Sequence, residues 1–186
     1  TSNNEKFLRL WWETDWSPTQ NDSNHKWIKY LKGGKYRKWN GNLEYLLFYN
    51  NDPNYILEQP HARVLPLEML RKPKITCTML TSGRPGFRSA PEDSFYDIAA
   101  HCCFPKESQF NYILGLLNSS LSALCLSAQN PTMNMQVSDI ASAPYVEGDP
   151  KSVSIVSGIV AESSDISKID WDSFETSWDF KRHPLL

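Results

Sequence analysis

The densest group of residues able to hold an anion is Lys29, Lys32, Gly33, Gly34, Lys35, Arg37, Lys38 and Trp39. Lysine and arginine supply charge for phosphate oxygens, and paired glycines let a backbone approach one closely. Tyr36 and Trp39 offer ring faces that can stack on a sugar or a base. If residues 35–39 are extended, alternation puts Lys35, Arg37 and Trp39 on one face and Tyr36 and Lys38 on the other. The competing reading is a hairpin whose charges are simply solvated. A second candidate is Ser82-Gly83-Arg84-Pro85-Gly86-Phe87-Arg88. An arginine at a turn tip reaches a guanine edge through two hydrogen bonds, worth roughly 1–3 kcal/mol of base discrimination. Ser82, Arg84 and Arg88 are the candidate base-edge contacts, against the plainer alternative of an exposed turn. Asn134 and Gln136 add polar side chains of the same reach, with a turn-building role equally open.

Catalytic chemistry has weaker support. Methylating the amino group of adenine needs a short Asn/Asp-Pro-Pro-aromatic loop, whose polar atoms hold the amino group while the ring stacks on the flipped base. Asp52-Pro53-Asn54-Tyr55 lacks the second proline, and Asn130-Pro131-Thr132-Met133 lacks the aromatic residue as well. No glycine-rich cofactor turn is present. His101-Cys102-Cys103 resembles a nucleophile with its base, but neighbours on a strand point to opposite faces. Cys77, Cys102, Cys103 and Cys125 show no zinc spacing. They are expected to be reduced, buried and apolar in role. No catalytic residue and no metal site are assigned, so a free-standing enzyme is disfavoured.

The net charge of −2 conceals an asymmetry. Residues 1–90 carry 14 Lys/Arg against 8 Asp/Glu, whereas residues 91–186 carry 5 against 13. A basic half with interleaved aromatics is a candidate phosphate-facing surface. No run approaches the roughly 18 apolar residues of a membrane span, and no basic-then-apolar leader opens the chain. A cytoplasmic protein that does not engage membrane is expected. The chain opens at Thr1 and closes on Pro184-Leu185-Leu186, so both ends are expected to be cuts in a longer protein.

The elements that would position these residues follow from periodicity and turn chemistry. Lys6 to Trp12 reads as a strand and Glu13 to Asn24 as a loop. Lys35–Trp39 and Glu44–Tyr49 flank Asn40-Gly41-Asn42, a hairpin signal, because Asn and Gly tolerate positive φ. Lys74–Leu80, Phe87–Ser89, Ser94–Ile98 and His101–Phe104 read as strands. Phe110, Ile113, Leu114, Leu117, Leu121, Leu124 and Cys125 form one stripe, which predicts a long helix over 108–128 with Ser108 as N-cap. Asn134–Val137 reads as a short strand, Asp139–Ser142 as a helical turn and Lys151–Glu162 as a second helix. Trp171, Phe174 and Trp178 recur at helical spacing and read as core or docking residues. The sum is an α+β fold: an antiparallel or mixed sheet backed by one long amphipathic helix, with a C-terminal helical segment. Residues 1–147 form the β-rich unit and 148–186 the helical extension.

Five segments together carry a resemblance. Lys32 to Asn42 resembles a "KGG-x-x-RKW-x-GN" stretch, Ser82 to Arg88 the turn that follows it, and Ile113 to Ser119 an "LLG-x-LNS" helix. Asn130 to Ile140 is similar to "NPT-x-N-x-QV-x-DI", and Trp171 to Phe180 to the subsequent tail. In this order they resemble the phage-exclusion (BREX) methyltransferases called PglX and related type IIG restriction-modification enzymes, over about residues 6 to 186. Asn40 stands where that family usually has Tyr, and Cys102 and Cys103 where it has small residues.

The resemblance implies a target-recognition domain with a TaqI-like specificity fold, binding double-stranded DNA for an adenine-N6-specific methyltransferase. The S-adenosylmethionine site and catalytic loop would lie in an N-terminal domain outside this chain, which would itself hold no cofactor. Lys32, Lys35, Arg37 and Lys38 would contact phosphates, with Gly33, Gly34 and Trp39 in the same DNA-binding surface. Other expected partners are the parent's methyltransferase domain and further defence subunits. A protein-interaction module of a phage-defence complex, docking through residues 171–180 and the acidic half, is the alternative.

Overall fold

The structure, a computed structural model, describes residues 4–15, 26–50, 52–59, 67–81 and 83–186. Helix α1 (Asn4–Phe7) leads into strand β1 (Leu8–Leu10) and a single 3-10 turn at Trp11–Glu13. Strands β2 (Trp27–Leu31) and β3 (Tyr45–Phe48) follow, then helices α2 (Pro53–Leu57) and α3 (Leu67–Leu70). Next come β4 (Lys74–Thr78), β5 (Phe87–Ala90), β6 (Ser94–Tyr96) and β7 (Ala100–Cys103). Helices α4 (Phe110–Asn118), α5 (Ser120–Gln129), α6 (Val137–Ala141) and α7 (Pro150–Asp172) complete the chain. The class is α+β, as the periodicities indicate.

Two sheets form. The first has the order β1-β3-β2-β6, with β2 antiparallel to β3 and parallel to β6; the second is antiparallel, β5-β4-β7. Lys74 ties them together. Its ammonium is fully buried on β4 and donates to the carbonyls of Pro91, Glu92 and Ser94, where β5 turns into β6. Three apolar clusters result. One packs Ile75, Cys77 and Phe87 against Leu114, Leu117, Leu126 and Val160 of the helices. A second gathers Phe7, Leu8, Leu47, Ile56 and Phe95 on the first sheet. A third, Leu31, Leu43, Ala90 and Ala100, lies between the sheets with Trp178 packed on it.

The structure departs from the expected elements in six places. The Asn-Gly hairpin does not form. β3 pairs instead with β2, whose Trp27-Ile28-Lys29-Tyr30-Leu31 run was not read as a strand. Residues 32–44 become the long connection between them. Trp39 and Asn42 take positive φ (70° and 60°), as does Gly41 (115°), so the segment winds instead of reversing in two residues. A Cβ at Gly41 would lie 2.6 Å from Arg37 Nε and 3.0 Å from the Trp171 ring. Glycine there makes room for side-chain packing and closes no hairpin.

The long helix over 108–128 is two helices bent by 64° at Ser119. Ser119 is extended (ψ 158°) and caps α5, accepting from the Ser122 N–H. Asn118 turns inward and binds β5 at both Phe87 groups, donating to its carbonyl at 2.9 Å and accepting from its N–H at 3.0 Å. Ser108 is not the cap; a 3-10 turn at Glu107–Gln109 precedes α4. Of Lys6–Trp12, only Leu8–Leu10 is strand. Asn134–Val137 contributes one bridge, Asn134 to Leu80, before α6 begins. Conversely α7 runs ten residues past Glu162, carrying Trp171. Its inner face meets α4 so closely that a Cβ at Gly115 would lie 2.8 Å from Val160 Cγ2.

Replacing Asn118 by Ala strands the buried Phe87 N–H, while the Phe87 carbonyl keeps the Trp39 N–H; the loss costs about 1–3 kcal/mol. A lower urea midpoint with an unchanged slope is the expected outcome.

Candidate nucleic-acid interface

The 32–44 connection is the centre of the candidate site. It docks along the free edge of β5: the Trp39 N–H donates to the Phe87 carbonyl and the Ser89 N–H to the Trp39 carbonyl, each at 2.9 Å. Its far side is fastened to α7. Arg37 donates to Asp170 Oδ2 at 2.7 Å and to the Ser167 carbonyl at 3.3 Å, with its guanidinium 5.1 Å from the centre of the Trp171 ring. Ser167 Oγ donates to the carbonyls of Lys38 and Asn40. The connection is thus held from both sides, although it contains almost no regular structure.

These contacts sort the twelve candidate residues. Arg88 does not reach a base edge. It is 2% exposed on β5, and its guanidinium donates to the carbonyls of Arg37 and Gly86 and to Thr78 Oγ1. Burial pulls it down to about 10. Arg37 is a docking residue for α7. Trp39 packs against the helix-side core instead of offering a free ring. Gly33 does not wait for a phosphate: at φ 85° it lies against the Ala99 carbonyl, where a Cβ would come within 2.8 Å. Gly34 is exposed, and its carbonyl accepts from Thr78 Oγ1. Ser82 lies outside the described residues.

What remains outward is a smaller cationic set. Lys32 and Lys35, with Gly33, Gly34 and Tyr36, line a groove of about 830 Å³ whose opposite wall is Trp171, Phe174 and Phe180. Lys32 Nζ sits 5.1 Å from the centre of the Tyr45 ring. Arg84 is exposed on the rim of a second groove of about 580 Å³, formed with Ser120, Ser127 and residues 130–133. The two grooves meet at a ridge. Tyr36, 58% exposed, lies across Gly86, where a Cβ would be 3.3 Å from its ring and 2.4 Å from the Arg37 carbonyl. Lys38 lies beneath, donating to the Asn118 carbonyl at 2.8 Å. Burial lowers its pKa, and the Arg84 charge acts in the same direction. The basic connection and the Arg84 turn are therefore neighbours, but they do not line one trough.

Asn134 and Gln136 belong to a polar knot. Asn130 donates to the Asn134 carbonyl and to Asp139 Oδ2, and accepts from the Thr132 N–H; the Gln136 N–H donates to the same Asp139 oxygen at 2.8 Å. The Asn130 amide, with help from the Gln136 N–H, lowers the Asp139 pKa. This segment builds a turn, while the side chains of Asn134 and Gln136 are exposed beside the second groove. Tyr36 was legible only as an aromatic near lysines. Its place at the junction of the grooves depends on the docking of the whole connection.

No nucleophile emerges at His101-Cys102-Cys103. His101 Nε2 lies 3.0 Å from the Met135 carbonyl. Burial raises the thiols to about 12 for Cys77 and Cys102 and to about 11 for Cys103. Among the described residues, no three His, Cys, Asp or Glu side chains converge as metal ligands, and no single helix is long and apolar enough to cross a membrane.

Two predictions test this geometry. Gly86→Ala forces the connection off β5 and destabilises the chain by about 1–3 kcal/mol. Gly83→Ala, which meets nothing within 4 Å, stays within about 0.5 kcal/mol in the same urea titration. At pH 8 iodoacetamide leaves Cys77, Cys102 and Cys103 unmodified in the native chain and labels them in urea, as peptide mass mapping reads directly.

No family model matches the chain. It is 29% identical over 185 residues, 97% of its length, to the adenine-specific methyltransferase BrxX of Escherichia coli O9:H4 (strain HS). It is 27% identical, over the whole of its length, to the adenine-specific methyltransferase PglX of Lacticaseibacillus casei (strain Zhang). The chain spans 15% and 16% of the lengths of these relatives. It is therefore similar, from end to end, to one region of much larger adenine-specific methyltransferases.

Proposed function

We propose that this chain is the DNA-target-recognition region of an adenine-N6-specific methyltransferase in a phage-exclusion or restriction-modification system. It would act in the cytoplasm, with a TaqI-like specificity fold. The observation that carries the reading is the exposed set Lys35, Tyr36 and Arg84 on neighbouring segments, Tyr36 lying beside Gly86 and the Arg84 charge reaching Lys38, in a chain similar throughout to methyltransferases whose length it spans only in small part. The chain grips duplex DNA. Lys32 and Lys35 face phosphates, which set register and orientation without reading sequence. Tyr36 stacks on an exposed sugar or base. Arg84 and Ser82 reach base edges in the major groove, and Asn134 and Gln136 contribute further polar contacts. Arg37, Trp39 and Arg88 hold this surface in place and do not touch DNA. The rest of the polypeptide flips the adenine, binds S-adenosylmethionine and transfers the methyl group.

The salt dependence of binding tests the proposal. Each phosphate contact contributes about −0.9 to the slope of log K against log salt. Lys32→Ala and Lys35→Ala, both on the outer surface, should each flatten the slope by roughly that amount, measured by fluorescence anisotropy with a duplex, whereas Arg84→Ala should narrow the preference between duplexes of different sequence. Slopes identical to that of the unaltered chain in both lysine variants would remove this surface from the DNA interface.

A further inference from the structure

Arg84 stands in the turn between β4 and β5. Pro85 and Gly86 behind it are buried, whereas a Cβ at Gly83 in front of it would meet nothing within 4 Å. Arg37 and Arg88 spend their guanidinium groups inside the fold, but among the described residues that of Arg84 makes no hydrogen bond and no ion pair. The second groove, which Arg84 overlooks, also has Leu124 and Met133 in its lining, at 67% and 59% exposure. Met133 is fixed close to the turn: the Thr81 N–H donates to its carbonyl at 2.9 Å, and Asn134 bridges to Leu80. Leu124 comes from α5. A lone exposed leucine or methionine needs no explanation. Two of them sharing a groove with an unmatched guanidinium make a mixed surface, apolar on one side and donating on the other.

That mixture suits a base edge better than a phosphate. Asp139 lines the same groove, and its carboxylate stays charged because Oδ2 accepts from the Asn130 amide and the Gln136 N–H. A carboxylate beside one arginine repels a phosphate that the two lysines of the first groove would attract. On the major-groove floor, guanine offers O6 and N7 to the fork of an arginine, and thymine alone among the four ordinary bases offers an apolar group, its C5-methyl. Successive base pairs lie about 3.4 Å apart, so side chains lining one groove meet neighbouring pairs. Methionine, unbranched and polarisable, adapts readily to a small apolar target.

We infer that Arg84 reads a guanine while Met133 and Leu124 cover the C5-methyl group of a thymine in the adjacent base pair, so that the recognised sequence contains such a step. The inference rests on the DNA proposal and names what its second groove reads.

The probe is a pool of random-sequence duplexes, enriched on the 186-residue chain. The enriched duplex is then resynthesised with deoxyuridine at each thymine in turn, which removes only the methyl group, and with 7-deazaguanine at each guanine, which removes the N7 acceptor. One thymine should weaken binding about fourfold when it becomes deoxyuridine, the worth of one buried methyl. A guanine in the next base pair should weaken it at least about fivefold when N7 is lost. The double variant Met133→Ala, Leu124→Ala should bind the thymine and deoxyuridine duplexes equally, with an unchanged circular dichroism spectrum. Arg84→Ala should lose the 7-deazaguanine effect. Absence of duplex binding, or of any enriched sequence, would overturn the DNA proposal and this inference together. Deoxyuridine silent at every position, a methyl effect that survives the double variant, or a sensitive thymine not adjacent to the Arg84-dependent guanine would overturn this inference alone.

Discussion

A buried guanidinium must be matched by acceptors, because leaving it unpaired in an apolar medium costs several kcal/mol. Arg88 meets most of that demand without a carboxylate, through its two terminal nitrogens, while its buried Nε–H finds no acceptor. It takes carbonyls from Arg37 and Gly86 and a hydroxyl from Thr78, on three separate segments. The 32–44 connection has little regular structure of its own, and it is held where it is because Arg88 needs the Arg37 carbonyl and β5 needs the Trp39 backbone. Everything on the outer surface of the connection, from Lys35 through Tyr36 to Lys38, inherits its position from that requirement. An interface built on loop residues is usually mobile. Here the loop behaves as an extra edge of the second sheet, so its cations are displayed by a fixed backbone.

The same logic explains why the basic cluster divides. Seven cationic or glycine positions in a short stretch cannot all face a ligand when the backbone also has to pack on both sides. Arg37 and Arg88 were taken inward. Arginine suits that role, since its planar fork reaches several acceptors at once and remains charged under burial. Lysines, with one compact charge on a flexible stem, stayed largely at the surface at positions 32 and 35. Lys38 is intermediate, capping the carbonyl of Asn118 at the end of α4 while feeling Arg84. The arrangement links three events: α4 ends at Asn118, Asn118 closes on Phe87, and Lys38 closes on Asn118.

Much of the fold was legible because its signals are local. β4 and the three strands after it stand out through β-branched or aromatic runs bounded by Pro and Gly, and α4 through its apolar stripe. The misreadings share one cause, which is that tertiary contacts overrode a local preference. Asn40-Gly41 has hairpin chemistry, but Gly41 is needed beneath Arg37 and Trp171. The apolar stripe continues past residue 118, but Asn118 gains more from the buried Phe87 backbone than from continuing the helix. Of the candidate site, residue types and neighbourhood were legible. Direction was not: nothing in the spacing of Arg84 and Arg88 says that one is exposed and the other sealed, because that depends on β5 lying between β4 and the connection.

Helix α7 joins these observations. Its inner side is occupied by the loop that displays the cations, through Arg37, Ser167 and Trp171, so α7 and the ridge form one mechanical unit. The Arg37–Asp170 pair and the ring beneath it tie α7 to the backbone that carries Lys35 and Tyr36. Since Asp170 is largely exposed, that pair alone is worth little. The stacking on Trp171, buried at the floor of the groove, is the firmer part of the link.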